Sequence, residues 1–500
     1  MEAVSSRIRV ANTAPVHPDR AYVLYWMIAA RRTTWNFALD RAIEHARELN
    51  KPLVVFEALE VDYPWASDRL SAFVIDGMAD NAAAFAKAPV TYVPYVEPTP
   101  GAGKGLLVAL ASSACVVVTD DFPSFFLPRI VAAAAARLDV RLEAVDSNGL
   151  MPLSATDRVF TAAAHFRRYV QKNLAEHLNV IPQANPLEGL KLPALTSLPA
   201  SISSRWPATS ERSLQASAAL ASTLPIDHSV AITRMRGGAQ AGRDTLTQFM
   251  TSKLARYGEL NSQPEADQTS HLSPYLHFGH VSSHQIFDVL MGREGWSTRH
   301  IAGKPVLGAR EGWWGVSASA ERFLDQLVVW RELGYNTCAR RPDDYYRYES
   351  LPQWALDSLS EHQRDTRTYL YDRDTLERGL THDRLWNAAQ GQLRRDGWMH
   401  NYMRMLWGKK ILEWSQTPQD ALDAMIAIMD RWSLDGRNPN SYSGYFWTLG
   451  RYDRPWPERP IFGVIRYMSS ANTARKLKVK NYVEEFAPES GTRQLPLSGD

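Results

Sequence analysis

The sequence predicts an α/β domain with a doubly wound parallel sheet, followed by an all-helical domain. Three observations support this prediction. Short apolar runs alternate with segments of helical period through the first 150 residues, which is typical of a parallel sheet with helices on both faces. From about residue 243 the strand patterns stop, and apolar residues recur at helical spacing instead. Between these regions, a stretch rich in Pro, Ser and Ala indicates a long surface connection.

Apolar runs define the predicted strands of the Rossmann-like sheet. They lie at 22–28, 53–59, 90–96, 115–121 and 140–146. Helices are predicted through 38–49, 105–113 and 127–138, so the first two strands form a βαβ unit. Sheets of this kind bind ligands at the carboxyl ends of their strands. The GAGKG run at 101–105 is interpreted as a plain loop, because it lacks the spacing of a phosphate-binding loop.

These patterns divide the chain into parts with different predicted structure. They are an N-terminal tail at 1–19, the α/β domain at 20–155, a linker at 156–242 with a partly helical stretch at 163–178, the helical domain at 243–486 and a disordered tail at 487–500.

Composition and charge limit the classes of protein. The chain has 500 residues, a formal net charge of +2 and two cysteines, Cys115 and Cys338. Two cysteines provide neither a disulfide framework nor a cysteine metal site, which fits a reducing compartment. No apolar run is long enough for a transmembrane helix, and the start of the sequence has no targeting signal. We therefore expect a soluble monomer that is cytoplasmic, and nucleoid-associated if the source is prokaryotic.

Tryptophan is concentrated in the predicted helical domain. Six of the 16 Trp lie between residues 386 and 447. A purely structural core rarely needs so many indoles, because each is bulky and its N–H must find a partner when buried. Trp407 and Trp414 are seven residues apart in a segment without Pro, so on a helix they share one face. Core packing is the commoner reason for a single Trp at such spacing, whereas the whole group indicates a series of oxidisable rings.

Several motifs together carry a resemblance to a known family. They are TSHLSPYLHFGHVS (269–282), THDRLWNAAQ (381–390), MHNYMRMLWGKKILEW (399–414), LDGRNPN (434–440) and ERPIFGVIRYM (458–468). With the opening strand–helix–strand segment, they closely resemble the class II photolyases of the photolyase/cryptochrome family, in the right order from about residue 20 to 485. The resemblance implies a photolyase-type α/β domain, a helical domain that holds FAD, and electron transfer driven by blue light.

The resemblance assigns a set of FAD-binding residues. They are Tyr257, Thr269, Ser270, Leu272, Ser273, Arg404 and Asp435. The helix start at Ser273 and Pro274 would offer hydroxyl and N–H donors to the pyrophosphate, although alone it would be an ordinary capped helix. Arg404 and Asp435 match the family's pair beside the isoalloxazine ring, where fixed charge tunes the flavin; in isolation they would be a structural salt bridge. The first domain could also carry an antenna chromophore, whose identity the sequence does not give.

The resemblance also implies an electron path and a pocket for damaged DNA. Trp407, Trp386 and Trp414 match the family's path for photoreduction, with Trp407 nearest the flavin. Trp330 and Trp447 match two indoles that hold a flipped pyrimidine dimer between them, by stacking that needs little sequence information.

The last part of the chain is the expected DNA interface. Trp456 and Arg466 match family residues that fill the gap left in the duplex when the lesion is flipped out. Residues 451–480 contain eight Lys or Arg against two acidic residues, a net charge of +6. This is an electrostatic footprint for a phosphate backbone, although a run of charge is more often a solvated surface.

A few positions depart from the class II pattern. Gln326 stands where the family has a Glu that hydrogen-bonds the dimer, and Gln keeps a donor but has no proton to give up. Met429 stands where the family has an Asn facing flavin N5, and a thioether is a weak acceptor without a donor. Asn261 takes the place of an Arg that follows the Tyr of the FAD segment. An extra segment around 296–316 precedes the helix of the lesion site.

Two functions therefore follow from the sequence. The first is an enzyme, a deoxyribodipyrimidine photo-lyase (a carbon–carbon lyase), in which light drives an electron from reduced FAD into a flipped-out cyclobutane pyrimidine dimer. The second is a cryptochrome-like blue-light photoreceptor or DNA-binding flavoprotein with lost or altered repair. The indoles of the dimer pocket favour the first, which we prefer, whereas Gln326 and Met429 favour the second.

Overall fold

A six-stranded sheet forms the first part of the structure, a computed structural model that describes residues 6–303 and 306–487. Its strands are β1 (Ile8–Val10), β2 (Tyr22–Met27), β3 (Leu53–Leu59), β4 (Val90–Val96), β5 (Ala114–Asp120) and β6 (Leu142–Val145). The order is β1-β6-β5-β2-β3-β4; β2 to β6 pair in parallel, and β1 pairs antiparallel with β6. The predicted α/β fold class is confirmed.

Helices cover the sheet and build the remainder of the chain. In the first half they are α1 (Phe37–Glu48), α2 (Asp68–Phe85), α3 (Leu106–Ala111), α4 (Leu127–Ala135), α5 (Ala163–Asn173), α6 (Ala200–Ser203), α7 (Glu211–Gln215), α8 (Ser217–Ala221) and α9 (Ala239–Gln248). They continue as α10 (Leu254–Leu260), α11 (Ser273–His277), α12 (Ser283–Arg293), α13 (Ala318–Leu324), α14 (Arg331–Arg340), α15 (Gln353–Glu361) and α16 (Arg373–Arg378). The last are α17 (Arg384–Asp396), α18 (Asn401–Trp414), α19 (Pro418–Trp432), α20 (Pro439–Thr448), α21 (Ser470–Lys476) and α22 (Lys480–Phe486).

Strand β2 lies in the middle of the sheet because both of its faces are buried. Leu24 and Trp26 pack in the apolar cluster on one face, and Val23 and Tyr25 pack in the cluster on the other. Successive side chains of a strand point to opposite faces, so an unbroken apolar run fits a sheet that is covered twice. This explains why the inner strands could be predicted from the sequence.

Two elements of the first domain are missing from the sequence prediction. Strand β1 lies within the predicted tail; it has only three residues, and two of them are exposed, so it is too short to show a strand pattern in the sequence. It is held by Arg7, whose buried guanidinium donates to the carbonyl oxygens of Gly149 (3.1 Å) and Leu150 (2.7 Å). The other is α2, the crossover helix between β3 and β4. The glycine-rich run at 101–105 is a loop, and its Gly103 N–H donates to a Glu97 carboxylate oxygen at 2.9 Å.

The predicted linker is partly built into the second core. Helix α5 carries Phe166 and Val170, which are buried in a cluster that also contains residues of α9 to α14. Arg167 of the same helix forms a buried salt bridge with Asp325, with Nε and Oδ1 2.7 Å apart. The domain boundaries themselves stay a prediction.

The extra segment around 296–316 is packed, not extended, in the residues that the structure describes. The Trp296 indole N–H donates to the Trp314 carbonyl oxygen at 2.6 Å, and Glu321 accepts the Trp314 N–H at 3.0 Å. Gln171 of α5 donates to the Ala309 carbonyl oxygen at 2.8 Å. The segment therefore lies against α5 and α13.

The second core is helical, as predicted. Helices α17 to α20 enclose an apolar cluster that contains Trp386, Trp407 and Trp414. Across residues 6–303 and 306–487, no helix combines the length and the apolar character needed to cross a membrane. All but the first residue of the predicted tail at 487–500 lies outside the described residues.

Candidate functional site

Three buried indoles form a continuous series between α17 and α18. The ring of Trp386 is parallel to that of Trp407 within 3°, with centroids 6.3 Å apart, and its centroid lies 5.5 Å from that of Trp414. The Trp386 N–H donates to the Trp407 carbonyl oxygen at 3.0 Å, and the Trp407 N–H donates to Gln390 Oε1 at 2.8 Å. Every indole of the series is almost fully buried. The structure thus brings together the three predicted residues in the order 407, 386, 414.

The aromatic contacts continue from Trp414 to the surface. Its ring centroid lies 5.5 Å from that of Tyr371 and 5.2 Å from that of His382. The Tyr371 oxygen is 2.7 Å from His382 Nδ1, and the His382 ring stacks on Tyr369, which is 44% exposed. Sequence reasoning missed these residues, because nothing in the spacing of Tyr369 and Tyr371 links them to a helix that begins at residue 401.

Arg404 and Asp435 form the predicted ion pair. Arg404 Nη2 lies 3.1 Å from Asp435 Oδ1, and the Ser433 hydroxyl donates to the same oxygen at 2.6 Å. Burial alone would raise the pKa of the Asp435 carboxyl, but the charge of Arg404 and hydrogen bonds from Ser273 and Ser433 hold this pKa below its ordinary value. Asp435 is therefore a buried carboxylate that touches both α18 and the start of α11.

The segment before α11 lies beside this pair. Helix α11 begins at Ser273, as predicted, and no side chain caps its start. Leu272 is buried, whereas Thr269 and Ser270 are partly exposed. The segment therefore keeps hydroxyl groups at a partly open surface.

Tyr257 lies in an aromatic environment at the end of α10. Its ring meets those of Phe249 and Phe323 edge to face, each with centroids 5.6 Å apart. Burial raises the pKa of the Tyr257 hydroxyl to about 12, although a hydrogen bond with Asn261 opposes the shift. Asn261 is therefore a partner of Tyr257.

Buried polar atoms near these residues test whether the set fits a flavin nucleotide. Arg404 Nε, His400 Nε2 and Gln268 Oε1 are buried and have no hydrogen-bond partner among residues 6–303 and 306–487. A buried polar atom without a partner costs about 1–3 kcal/mol, so such atoms mark places where a polar ligand is accommodated. Arg404 Nε lies on α18, His400 Nε2 lies at the start of this helix, and Gln268 Oε1 lies beside Thr269. These positions fit a ligand that lies between α18 and residues 269–273.

Met429 is fully buried in α19 and lies close to the ion pair. A side chain at Gly436 would approach the Met429 carbonyl oxygen to 2.6 Å, so the chain passes tightly over α19 just after Asp435. The position predicted to face the flavin therefore lies in the same neighbourhood as Arg404 and Asp435, and its thioether offers only soft contact.

Gln326 and Trp330 lie on a π-helical turn, Asp325–Trp330, between α13 and α14. Turns of this kind are frequent at functional sites, because the extra residue redirects the side chains. Gln326 is exposed and Trp330 is half-buried. Asp325 anchors the turn through the salt bridge with Arg167 described above.

Trp330 and Trp447 lie at the ends of two packed helices. Gly334 of α14 meets α20 so closely that a Cβ there would lie 2.7 Å from Ser443 Oγ. Trp330 precedes this contact by one turn, and Trp447 follows it by one turn. Both rings are half-buried, so each keeps part of its surface open for stacking.

Arg466 connects the indoles of Trp447 and Trp456. Its guanidinium carbon lies 5.8 Å from the Trp447 ring centroid and 4.1 Å from the Trp456 centroid. Both nitrogens of one edge donate to Asp453, at 2.6 and 2.9 Å, and the Trp456 N–H lies 3.3 Å from the same carboxylate. Asp453 was not a predicted site residue, and its only signal is that it is one of two acids in a basic segment.

The basic segment at 451–480 is only partly available to a ligand. Arg451 is buried and donates to the Tyr345 carbonyl oxygen at 3.2 Å, and Arg466 is paired with Asp453. The exposed cations are Arg454, Arg459, Arg475, Lys476, Lys478 and Lys480. The charged surface predicted from the sequence is therefore present but smaller than the count of residues suggests.

A separate small pocket lies at the carboxyl edge of the sheet. It is lined by Arg32, Asp120 and Arg331 among others. Asp120 Oδ2 accepts the N–H groups of the loop after β2, including those of Ile28 at 2.8 Å and Ala29 at 2.7 Å. The Asp120 carboxylate therefore already accepts the backbone N–H groups that an anionic ligand would need. The antenna chromophore stays a prediction.

Comparison with known proteins decides the family. The chain is 32% identical over 483 residues to the deoxyribodipyrimidine photo-lyase of Methanothermobacter thermautotrophicus, an alignment that covers 96% of this chain and 98% of that protein. The chain belongs to the photolyase/cryptochrome family. Photo-lyases of Oryza sativa (32% identity, 99% of this chain and 93% of that protein) and Arabidopsis thaliana (30%, 95% and 92%) are further relatives. No family model matches the sequence.

Solved structures of the photolyase/cryptochrome family share the fold. The class III photolyase of Agrobacterium tumefaciens superposes with a TM-score of 0.66 at 18% identity, covering 94% of this chain and 86% of that one. The cryptochrome of Synechocystis sp. PCC6803 gives 0.65 at 14% identity, with 93% and 88% coverage. The predicted family and the predicted likeness to deoxyribodipyrimidine photo-lyases are confirmed.

Proposed function

We propose that this protein repairs cyclobutane pyrimidine dimers in DNA with FAD and blue light. The observation that carries the proposal is the position of helix α18. Its Arg404 pairs with Asp435 beside the buried polar atoms, and its Trp407 begins the indole series that leads toward the surface. One rigid element therefore joins a ligand site to a path for electrons.

The residues of the ligand site have separate roles in this proposal. FAD, when bound, supplies the group that absorbs light and donates an electron. Thr269, Ser270 and Ser273, with Tyr257 and Leu272 nearby, would bind its phosphates through hydroxyl and N–H donors. Arg404 and Asp435 would hold the ring system by fixed charge. The buried indoles exclude water from this region.

The open side of the helical core is the proposed DNA interface. Trp330 and Trp447 would hold the flipped dimer by stacking, and the exposed Gln326 amide would hydrogen-bond it. Trp456 and Arg466 would fill the gap in the duplex, already oriented by the Asp453 carboxylate. The exposed Lys and Arg side chains would bind the phosphate backbone.

A repair assay tests the proposal. The purified, reduced protein is illuminated with an oligonucleotide that contains one cyclobutane dimer, and the recovery of thymine absorbance is followed. We expect splitting of the dimer with repeated turnover. A protein that binds FAD and is photoreduced but splits no dimer would contradict the proposal and support the cryptochrome-like photoreceptor function, for which Gln326 and Met429 would then be the reason.

Replacement of Gln326 by Glu should raise the repair yield. A protonated carboxyl can donate a hydrogen bond to the dimer and also give up its proton as negative charge develops there, whereas an amide can only donate, so a gain of several-fold is expected. The side chain is exposed, so the fold should tolerate the change. The measurement is the number of dimers split per absorbed photon. A yield equal to that of the native protein would mean that residue 326 does not contact the dimer.

Replacement of Trp456 by Ala should weaken binding of a damaged duplex more than binding of a damaged single strand. Only the duplex leaves a hole that an indole fills, and loss of one stacking contact costs about 1–3 kcal/mol. Binding of both oligonucleotides is measured at one salt concentration. Trp65→Ala, in a half-buried indole of the first domain, is the matched control. Equal losses on both oligonucleotides would show that Trp456 is not a wedge.

A further inference from the structure

Lys409 is a buried lysine that has no carboxylate partner among the residues that the structure describes. Its side chain is fully buried in α18, and its Nζ donates to the Thr448 carbonyl oxygen at 2.6 Å. In the part of the chain that the structure describes, no carboxylate oxygen lies within 4.0 Å of this ammonium. The next residue, Lys410, does form a salt bridge, because its Nζ lies 2.8 Å from Glu413 Oε2.

The Lys409 ammonium faces the indole of Trp447. Nζ lies 4.8 Å from the ring centroid, within the range of a cation–π contact. The other charged groups that shift the pKa of Lys409 are Asp453 and Arg466, which belong to the same segment as Trp456. Lys409 is thus the innermost cation of a cluster whose outer members are Arg466, Trp447 and Trp456.

Packing alone does not explain a lysine at this position. A buried charge without a partner is strongly unfavourable, and an apolar side chain of similar length would fill the same space at lower cost. Ionisable groups in such an environment are found mostly at functional sites. The indole that it contacts is the one expected to stack on a flipped base.

We propose that Lys409 is a positioning residue of the lesion pocket: its ammonium group fixes the orientation of Trp447 and places a buried positive charge behind the face on which a pyrimidine dimer stacks. The inference rests on the proposed function in naming the dimer as the ligand. Lys409 itself touches neither the dimer nor the duplex; it acts through the indole.

The same geometry makes the contact sensitive to pH. The pKa of Lys409 is lowered to about 7, chiefly by burial; the charge of Asp453 opposes this shift and the charge of Arg466 adds to it. Below pH 7 the side chain is protonated in the folded and the unfolded protein, so the full cost of burying the charge is present. Between pH 7 and about 10.5 only the unfolded chain keeps the proton, so stability rises with pH over this window. The cation–π contact is present below pH 7 and is lost above it.

The first experiment measures the contact without any activity. Lysine labelled with ¹³C at Cε gives resolved signals, and the signal that disappears in Lys409→Met belongs to Lys409. We expect this signal to titrate near pH 7, and Lys409→Met to melt at a higher temperature than the native protein at pH 6, with a smaller difference at pH 9. Titration above pH 10 would show that the ammonium group is solvated and not enclosed beneath Trp447, which would overturn the proposal.

The second experiment tests the role in binding. Affinity for a single-stranded oligonucleotide with one cyclobutane dimer is measured at pH 6 and pH 8.5. We expect the native protein to bind about tenfold more tightly at pH 6, the size expected for loss of a desolvated cation–π contact. Lys409→Met should bind weakly and equally at both values, and Lys410→Met, the control on the same helix, should follow the native protein.

The outcomes separate this inference from the function on which it rests. Dimer binding that is the same in Lys409→Met and the native protein at both pH values overturns the role of Lys409 and leaves repair untouched. A native protein that shows no preference for the dimer over an undamaged strand overturns the proposed function and, with it, the assignment of Lys409 to a lesion pocket.

Discussion

Replacement of Trp386 by Phe should almost abolish the light-driven reduction of bound FAD. Trp386 is the only member of the described indole series that contacts both of the others, through the parallel ring of Trp407 and the edge of Trp414. A phenyl ring is much harder to oxidise than an indole, and each added barrier of about 1.4 kcal/mol slows a step tenfold. The measurement is the loss of oxidised flavin absorbance under blue light with an external reductant.

The control for Trp386→Phe is Trp313→Phe. Trp313 is as deeply buried, lies in another apolar cluster, and its indole N–H has no protein partner to lose. It should lose stability, typically about 1–3 kcal/mol for a change in core shape, without a change in the rate of photoreduction. Equal rates in Trp386→Phe and the native protein would show that electrons reach the flavin by another route.

Replacement of Asp435 by Asn should remove FAD from the purified protein. The change leaves the Arg404 guanidinium without a counter-charge, and breaking a buried pair in this way costs about 3–5 kcal/mol. The pKa of Asp435 is held below its ordinary value, so the pair is intact above the unfolded pKa and its contribution is lost as the pH falls through the folded pKa. Flavin content and the free energy of unfolding are measured on the same preparation.

Glu143→Gln provides the matched control. Glu143 is a buried carboxylate of the sheet, and its pKa is lowered to about 2 because the hydrogen bonds and charges of His45 and Arg41 outweigh burial. Its loss should destabilise the fold to a similar extent while the flavin is retained. If Asp435→Asn keeps stoichiometric FAD, the ion pair is structural and the ligand lies elsewhere.

Burial on both faces is what made the sheet predictable from sequence. Strands β2 to β6 coincide with the predicted apolar runs to within about two residues. An inner strand of a parallel sheet has no polar face, and the edge strand β4 is buried over its second half. Strand β1 is set instead by a long-range contact, since Arg7 binds carbonyl groups about 140 positions away. No local pattern records such a contact.

Some residues of the candidate site could likewise be predicted from the sequence, and others could not. The three indoles of the series could be predicted because the motifs that contain them occur in the same order along the chain as in the family. Asp453 and Lys409 could not, because their importance lies in what the fold brings to them: a carboxylate that orients Arg466, and an ammonium enclosed beneath Trp447. In the sequence, Lys409 is indistinguishable from Lys410. Only the packing of α18 against α20 encloses Lys409 beneath Trp447, without a carboxylate partner among the described residues.

The connection between Arg167 and Asp325 limits how the chain can be divided. A fragment that begins at residue 243 would lack α5, so the apolar surface that covers Phe166 and Val170 would face water. It would also leave the buried Asp325 carboxylate without its guanidinium, directly before Gln326. We therefore expect that the helical half does not fold on its own, and that limited proteolysis between the two halves yields a helical fragment that aggregates unless the cut falls before residue 163.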